Sequence, residues 1–180
     1  MRQCTIITGP IHSGKTTWLK QMIEDSVERG NTVGGIVAEA VYDEGGNKAG
    51  FDALDITSGR REPLVREEKE GSSVKGQRVG RFILLETGLH RASSMVLRGA
   101  GLMSGVPEEE SKPSDILCLD EVGPLEMAGK GFYPVLLRLL GEYEGRLILI
   151  AREGVYERLF RLVVGAGWEV EKVVPQEFPF

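Results

Sequence analysis

The stretch Gly9-Pro10-Ile11-His12-Ser13-Gly14-Lys15-Thr16 fits G-x-x-x-x-G-K-[ST] at every fixed position. These residue types at this spacing suit the handling of phosphate. Backbone N–H groups of a glycine loop wrap a β-phosphate, the lysine reaches the β- and γ-phosphates, and the Thr16 hydroxyl can ligate Mg²⁺. Thr17 adds a further amide at the start of the helix that must follow. A second constellation, Asp115 to Glu121 (DILCLDE), lies about a hundred residues downstream and ends an apolar run on two acids, Asp120 and Glu121. An aspartate at the end of a buried parallel strand can hold Mg²⁺ through water. A glutamate directly after it has the reach to orient or deprotonate a water attacking the γ-phosphate. Taken singly, the first stretch could be a strand-to-helix turn with a chance lysine, and the second a capped strand end with two solvated acids. In one chain, in this order, they make a nucleotide site in which Lys15 and Glu121 act on the phosphoryl group and Thr16 and Asp120 serve the metal.

Such groups need rigid elements to aim them. The apolar run Cys4 to Ile7 reads as a buried strand entering the loop. Thr16 to Arg29 carries Trp18, Leu19, Met22, Ile23 and Val27 near a 3.6-residue period, with Gly30 placed to end a helix. Thr32 to Val41 reads as a strand whose Gly34-Gly35 pair suggests a bulge or a close backbone approach. With Gly50 to Thr57 it predicts a hairpin, whose turn contains Asn47-Lys48. That pair resembles the start of the guanine-reading N-K-x-D element, but the fourth position is Gly50. Residues 58 to 80 are polar and mixed in charge, and read as a surface loop able to fold over a bound nucleotide. A short apolar run at Phe82 to Leu85 follows, then a helix over Glu86 to Arg98. Pro107 to Ser114 is an acidic connector. Phe132 to Tyr143 predicts a core helix, Leu147 to Ala151 (LILIA) a continuous buried strand, Val155 to Val164 a helix, and Trp168 to Val174 a last strand, with the tail from Pro175 to Phe180 outside it.

A chain of 180 residues can bury one sizeable core, so a single domain over 1–180 is expected. The continuous apolar runs predict a three-layer α/β fold with a mainly parallel central sheet, made mixed by the hairpin. Hydrophobic residues make up 41% and charged ones 27%, and no run approaches the length of a membrane span. The early strand leaves no room for a targeting segment ahead of it, and a cytoplasmic location is expected. A net charge of −5 argues against a broad nucleic-acid surface, which needs a basic excess. Cys4 and Cys118 sit in apolar runs and read as buried free thiols.

The phosphate loop, the G-G-I-V-A-E segment with its following G-F-D strand, V-G-R-F at Val79 to Phe82 and D-E-V-G-P-L-E-M at Asp120 to Met127 occur together and in this order. They resemble the small nucleoside triphosphatases of the thermophile and cancer-related type. In that family the corresponding patterns are close to G-G-F-Y-T-E-E and D-E-I-G-K-M-E-L. The resemblance covers most of residues 1 to 152. It implies a P-loop domain that hydrolyses ATP, GTP and other nucleoside triphosphates to the diphosphate, slowly and with little base preference. Carried across by motif, Gly9 to Thr16 bind phosphates, Asp120 serves Mg²⁺ and Glu121 activates water. By analogy with such folds, the LILIA strand is expected between the phosphate-loop strand and the strand bearing Asp120. Arg81, in the V-G-R-F element, and Arg152, at the carboxyl end of the LILIA strand, are the candidate auxiliary cations. Pro124 stands where the family often has lysine, and no asparagine-arginine element follows the last strand.

Two other readings remain open at this point. A nucleotide or small-molecule kinase would use the same loop with an acceptor other than water, and the arginines of residues 58 to 80 keep it in view. A nucleotide-gated adaptor would hydrolyse slowly and signal to a partner protein. Asp120 to Gly123 also fits D-x-x-G, but without N-K-x-D there is no basis for strict guanine selection.

Overall fold

The computed structural model describes residues 1–71 and 73–175, so that Ser72 and all but the first residue of the expected tail lie outside the described residues. Its strands are β1 (Gln3–Gly9), β2 (Val33–Tyr42), β3 (Lys48–Asp55), β4 (Arg61–Glu67), β5 (Gly76–Val79), β6 (Phe82–Leu85), β7 (Ile116–Val122), β8 (Arg146–Arg152) and β9 (Glu169–Val173). The helices are α1 (Lys15–Glu28), α2 (Glu86–Gly99), α3 (Pro124–Met127), α4 (Tyr133–Glu142) and α5 (Tyr156–Gly165). All nine strands form one sheet in the order β5-β6-β4-β3-β2-β7-β8-β1-β9. From β2 to β9 neighbours run parallel. From β2 outward to β5 they run antiparallel.

The parallel half follows from the apolar runs. Six of seven residues in β1 are buried, and β7 and β8 are buried almost throughout, because helices cover both faces. One face packs against α2, α4 and α5 through residues such as Met95, Leu136, Leu139, Leu159 and Val163. The other packs against α1 through Leu19, with Trp18, Met22 and Ile23 at its margin. The LILIA strand pairs with β1 on one side and β7 on the other, as expected. Both cysteines are buried free thiols, and burial pushes Cys4 up to about 12.

The Gly34-Gly35 pair marks a close approach of backbones. Gly35 has φ +98°, and a Cβ there would lie 1.9 Å from the Cys118 carbonyl oxygen of β7, while α2 ends on the pair through Gly99. Gly35→Ala is therefore expected to strain the backbone and to force β2 from β7, lowering stability by more than about 2 kcal/mol. Thermal unfolding of the variant measures it, and an unchanged melting temperature would show that the strands yield freely.

The reading of residues 58 to 80 as a loop is corrected by the structure. Two strands, β4 and β5, lie inside it and widen the antiparallel half well beyond the expected hairpin. Its charges are cross-strand partners: Arg66 pairs with Asp52 of β3, Arg61 with Glu39 of β2, and buried Glu62 with Arg91 of α2. Pro63, which argues against a central strand, falls in the half of β4 that β6 does not reach, since that pairing begins at Val65. The β2–β3 connection is a turn, as read: Asn47 donates its backbone N–H to the Asp43 carboxylate at 2.8 Å. Among the described residues no helix is long and apolar enough to cross a membrane.

Candidate active site

The strand register sets the predicted residues on one edge. Gly9, the last residue of β1, pairs with Arg152, the last of β8. On the other side of β8, Val122 pairs with Ala151, so Asp120 and Glu121 reach the same carboxyl edge, where ligands of open α/β sheets bind. A cleft of about 1100 Å³ opens over this edge, and its lining includes Ile11 to Thr17, Glu121, Arg81 and Arg152. The structure thus brings the loop, Glu121 and both candidate arginines to one cavity.

The loop itself holds one residue in a strained conformation. His12 has φ +64°, rare for a residue with a side chain, and Gly14 caps α1 at φ +78°. Among the described residues the helix start has no side-chain cap and no acid in its first turn, so its free amides and dipole suit an anion. The Lys15 ammonium donates to the carbonyl oxygens of Gly9 at 2.9 Å and Pro10 at 2.6 Å, holding a positive charge inside the loop. Thr8, at its root, has a buried hydroxyl with no hydrogen-bond partner among the described residues, a group that a polar ligand or its water could satisfy.

Asp120 is 1% exposed. One carboxylate oxygen accepts the Ala38 N–H at 3.0 Å and the other the Glu121 N–H at 2.8 Å. Burial pushes its pKa up, the neighbouring Glu121 charge adds to that, and the two N–H groups and Lys15 oppose it. At Glu121 the chain leaves regular strand geometry. The β7–β8 register shifts between Leu119 and Val122, and Glu121 takes φ +65°. Such a bulge re-aims a side chain at the cost of local strain. Here Glu121 ends 3.9 Å from the Arg152 guanidinium. Arg81 lies farther along the cleft, over the Phe82 ring at 4.9 Å and 3.5 Å from Glu67.

Two carboxylates in this neighbourhood were not singled out by their sequence pattern. Glu126, 3% exposed, accepts the N–H of Gly123 at 2.8 Å and of Phe132 at 3.0 Å, and so clamps the turn after Glu121 around α3. Its signal was the G-P-x-E spacing of a helix start with a carboxylate at the third position. Pro124, in place of the family's lysine, opens α3 at a position where a missing N–H costs nothing. Glu39 joins Lys20 of α1 at 2.8 Å to Arg61 of β4 at 2.7 Å, and the Lys20 bond leads in holding its carboxyl below the usual range.

The oxygen donors assigned to a metal are the Thr16 hydroxyl and the Asp120 carboxylate. No cluster of three His, Cys, Asp or Glu side chains able to hold a metal exists among the described residues. That donor set fits Mg²⁺, which takes one or two protein ligands and completes its shell with phosphates and water.

Glycine loop, helix amides, lysine and a paired acidic strand end define a P-loop nucleotide-binding α/β domain. Comparison with known proteins narrows the class: the profile of a family described as NTPase matches residues 4–164. The chain belongs to this NTPase family. It is 35% identical over 133 residues to the nucleoside-triphosphatase THEP1 of Methanopyrus kandleri, a match covering 74% of this chain and 64% of that one. It is 32% identical over 151 residues to the human cancer-related nucleoside-triphosphatase, covering 83% and 74%. The match thus spans less than two-thirds of the length of the first of these relatives. Its fold is similar to the solution structure of a human cancer-related nucleoside triphosphatase, with TM-score 0.66, 26% identity, and 96% and 89% of the two chains covered.

Proposed function

We propose that residues 1–180 act as one domain that hydrolyses nucleoside 5'-triphosphates to the diphosphate and phosphate, in the presence of Mg²⁺, slowly and with little base preference. The observation that carries this reading is the bulge that turns Glu121 out of β7 toward the phosphate-loop edge, beside Arg152. A glutamate spent on a strained backbone, close to a cation and not buried in a bond network, suits a carboxylate that must take a proton from water. The relatives named as nucleoside-triphosphatases support the same reaction.

In this mechanism the backbone N–H groups of Ile11 to Thr17 bind the phosphates, Gly9 and Pro10 shape the loop, and Lys15 leaves the loop carbonyls to lie along the β- and γ-phosphates. Glu121 orients a water behind the γ-phosphorus and accepts its proton as the bond to the bridging oxygen breaks. Thr16 and Asp120 would hold Mg²⁺, which would supply charge neutralisation to the phosphates. The Asn47-Lys48 turn is folded on Asp43 and offers no guanine-reading element, in keeping with loose base selection. A cytoplasmic location accords with the two free thiols.

Arg152 is the better placed of the two candidate cations. Arg152→Ala is expected to lower kcat by about 10-fold or more, because a guanidinium beside the transferring group neutralises charge in the transition state. Arg81→Ala, farther along the cleft at Phe82, should lower turnover less than Arg152→Ala. Steady-state kinetics of both variants decide this, and intact turnover in both would remove them from the mechanism. The reaction itself is tested by incubating the protein with Mg²⁺ and each triphosphate alone and measuring free phosphate. Release without an acceptor is expected, and release only on addition of an acceptor or partner would overturn hydrolysis as the activity.

A further inference from the structure

We propose that the half of the cleft remote from the phosphate loop is a second binding site, for a nucleoside monophosphate or a similar phosphorylated planar ring, facing the γ-phosphate end of the bound triphosphate. The proposal rests on the phosphate-loop reading above, because that reading fixes which way the triphosphate lies. Along the carboxyl edge the order is β1 with the loop, β8 with Arg152, β7 with Glu121, then β2, β3, β4 and β6. For Glu121 to direct water at the γ-phosphate, that end of the chain must point toward β7. The nucleoside then leaves the loop on the opposite side, toward β9. Strands stand about 4.8 Å apart, so β3 lies roughly 19 Å from β1, on the side the nucleoside does not take.

That far half is built space. The cleft lining extends from the loop past Glu121 to Phe51 on β3, Val65 on β4, Phe82 on β6, Leu125 within α3 and Phe132 after it. At about 1100 Å³ the whole exceeds the range usual for a pocket holding one small ligand. Of the strands that form its wall, β2 reaches the machinery, through the Ala38 N–H on Asp120 and the Glu39 bridge to Lys20; among the described residues β3, β4 and β6 make no hydrogen bond to the loop, Asp120 or Glu121.

Its chemistry points to a ring carrying negative charge. Two aromatic side chains each have a cation over the ring, Lys48 at 4.4 Å from Phe51 and Arg81 at 4.9 Å from Phe82. The carboxylates lining the cleft already have partners. Glu39 is held by Lys20 and Arg61, Glu126 by two backbone N–H groups, and Glu121 faces Arg152. Lys48 makes no ion pair among the described residues, and Arg81 has only a long, exposed one to Glu67. Apolar rings with cations over them stack a planar ring and neutralise its phosphate.

Isothermal titration tests this. The full chain is saturated with a non-hydrolysable triphosphate analogue and Mg²⁺, then titrated with AMP, with GMP, or with ribose 5-phosphate. One further equivalent of nucleoside monophosphate is expected to bind, with ribose 5-phosphate at least about tenfold weaker for want of a ring to stack. Phe51→Ser and, without touching the sheet interior, Lys48→Ala should each weaken that binding several-fold and leave the affinity for the analogue unchanged. No further equivalent, displacement of the analogue by the monophosphate, or second-site binding indifferent to both substitutions would overturn the proposal. If the analogue itself fails to bind, the phosphate-loop reading falls first and takes this one with it.

Discussion

Lys15→Ala is expected to weaken triphosphate binding and nearly to abolish turnover. The ammonium sits within the loop, bonded to the Gly9 and Pro10 carbonyl oxygens, so it is already at the place where phosphate oxygens gather. Losing hydrogen bonds to a charged group costs about 1.5–3 kcal/mol, or roughly 10- to 100-fold in affinity. A further loss falls on the chemical step, since charge on the β–γ bridge grows in the transition state. Removing one such stabilising donor typically costs about 10²- to 10³-fold in kcat. Lys20, the other lysine of α1 lining the cleft, is held by Glu39 and cannot substitute. Binding of a fluorescent triphosphate analogue and single-turnover phosphate release measure the two effects separately. Release at the unaltered rate would reject the loop as the site of reaction.

Glu121→Gln should separate binding from turnover. The amide keeps the size of the side chain and can still hydrogen-bond, but it cannot accept the proton of the attacking water. A fall in kcat of about 10²- to 10⁴-fold is expected, the usual worth of general-base catalysis, with nucleotide affinity little changed. The contrast with Asp120→Asn sharpens the assignment. In the proposed metal role, Asp120, which is buried and accepts two backbone N–H groups, loses charge as the neutral amide and also sets its NH2 against one of those N–H groups, so only the metal-dependent part of its defect should shrink as Mg²⁺ is raised. The Glu121→Gln defect should not respond to Mg²⁺. Wild-type turnover in Glu121→Gln would mean that the carboxylate is merely a solvated strand end, and the hydrolytic mechanism would fail even with the loop occupied.

The parallel half of the sheet and the loop were legible because their signals are local. Unbroken apolar runs at Cys4 to Ile7, Ile116 to Leu119 and Leu147 to Ala151 can only be buried strands between two helical layers, and the phosphate loop carries its own spacing. β4 and β5 were not legible for a physical reason. In β4 only Leu64 is a fully buried apolar residue, and Glu62 is buried as well. Its burial is tolerated because Arg60 and Arg91 pair with it, and those partners come from positions that sequence spacing does not connect. The bulge at Glu121 is likewise invisible in a row of residues that reads as a regular strand end. Glu126 lies inside a motif that was recognised, yet its task depends on the Phe132 N–H six residues on, a contact that exists only once α3 has turned the chain back.

An open sheet of nine strands has two rims that could seed fibrous growth, since each offers unpaired backbone groups to a passing strand. Here β9 closes one rim with Glu169, Glu171 and Lys172 exposed among its five residues. The other rim is β5, four residues long, opening on a glycine and carrying Arg78 outward with Glu68 as its partner. A strand approaching either side must desolvate these charges to add a short ladder of bonds. Arg78, one of the ionic residues that disguised β5 as part of a loop, thus works with the acids and lysine of β9 against edge-to-edge pairing, and the long apolar central strands lie enclosed between the two rims.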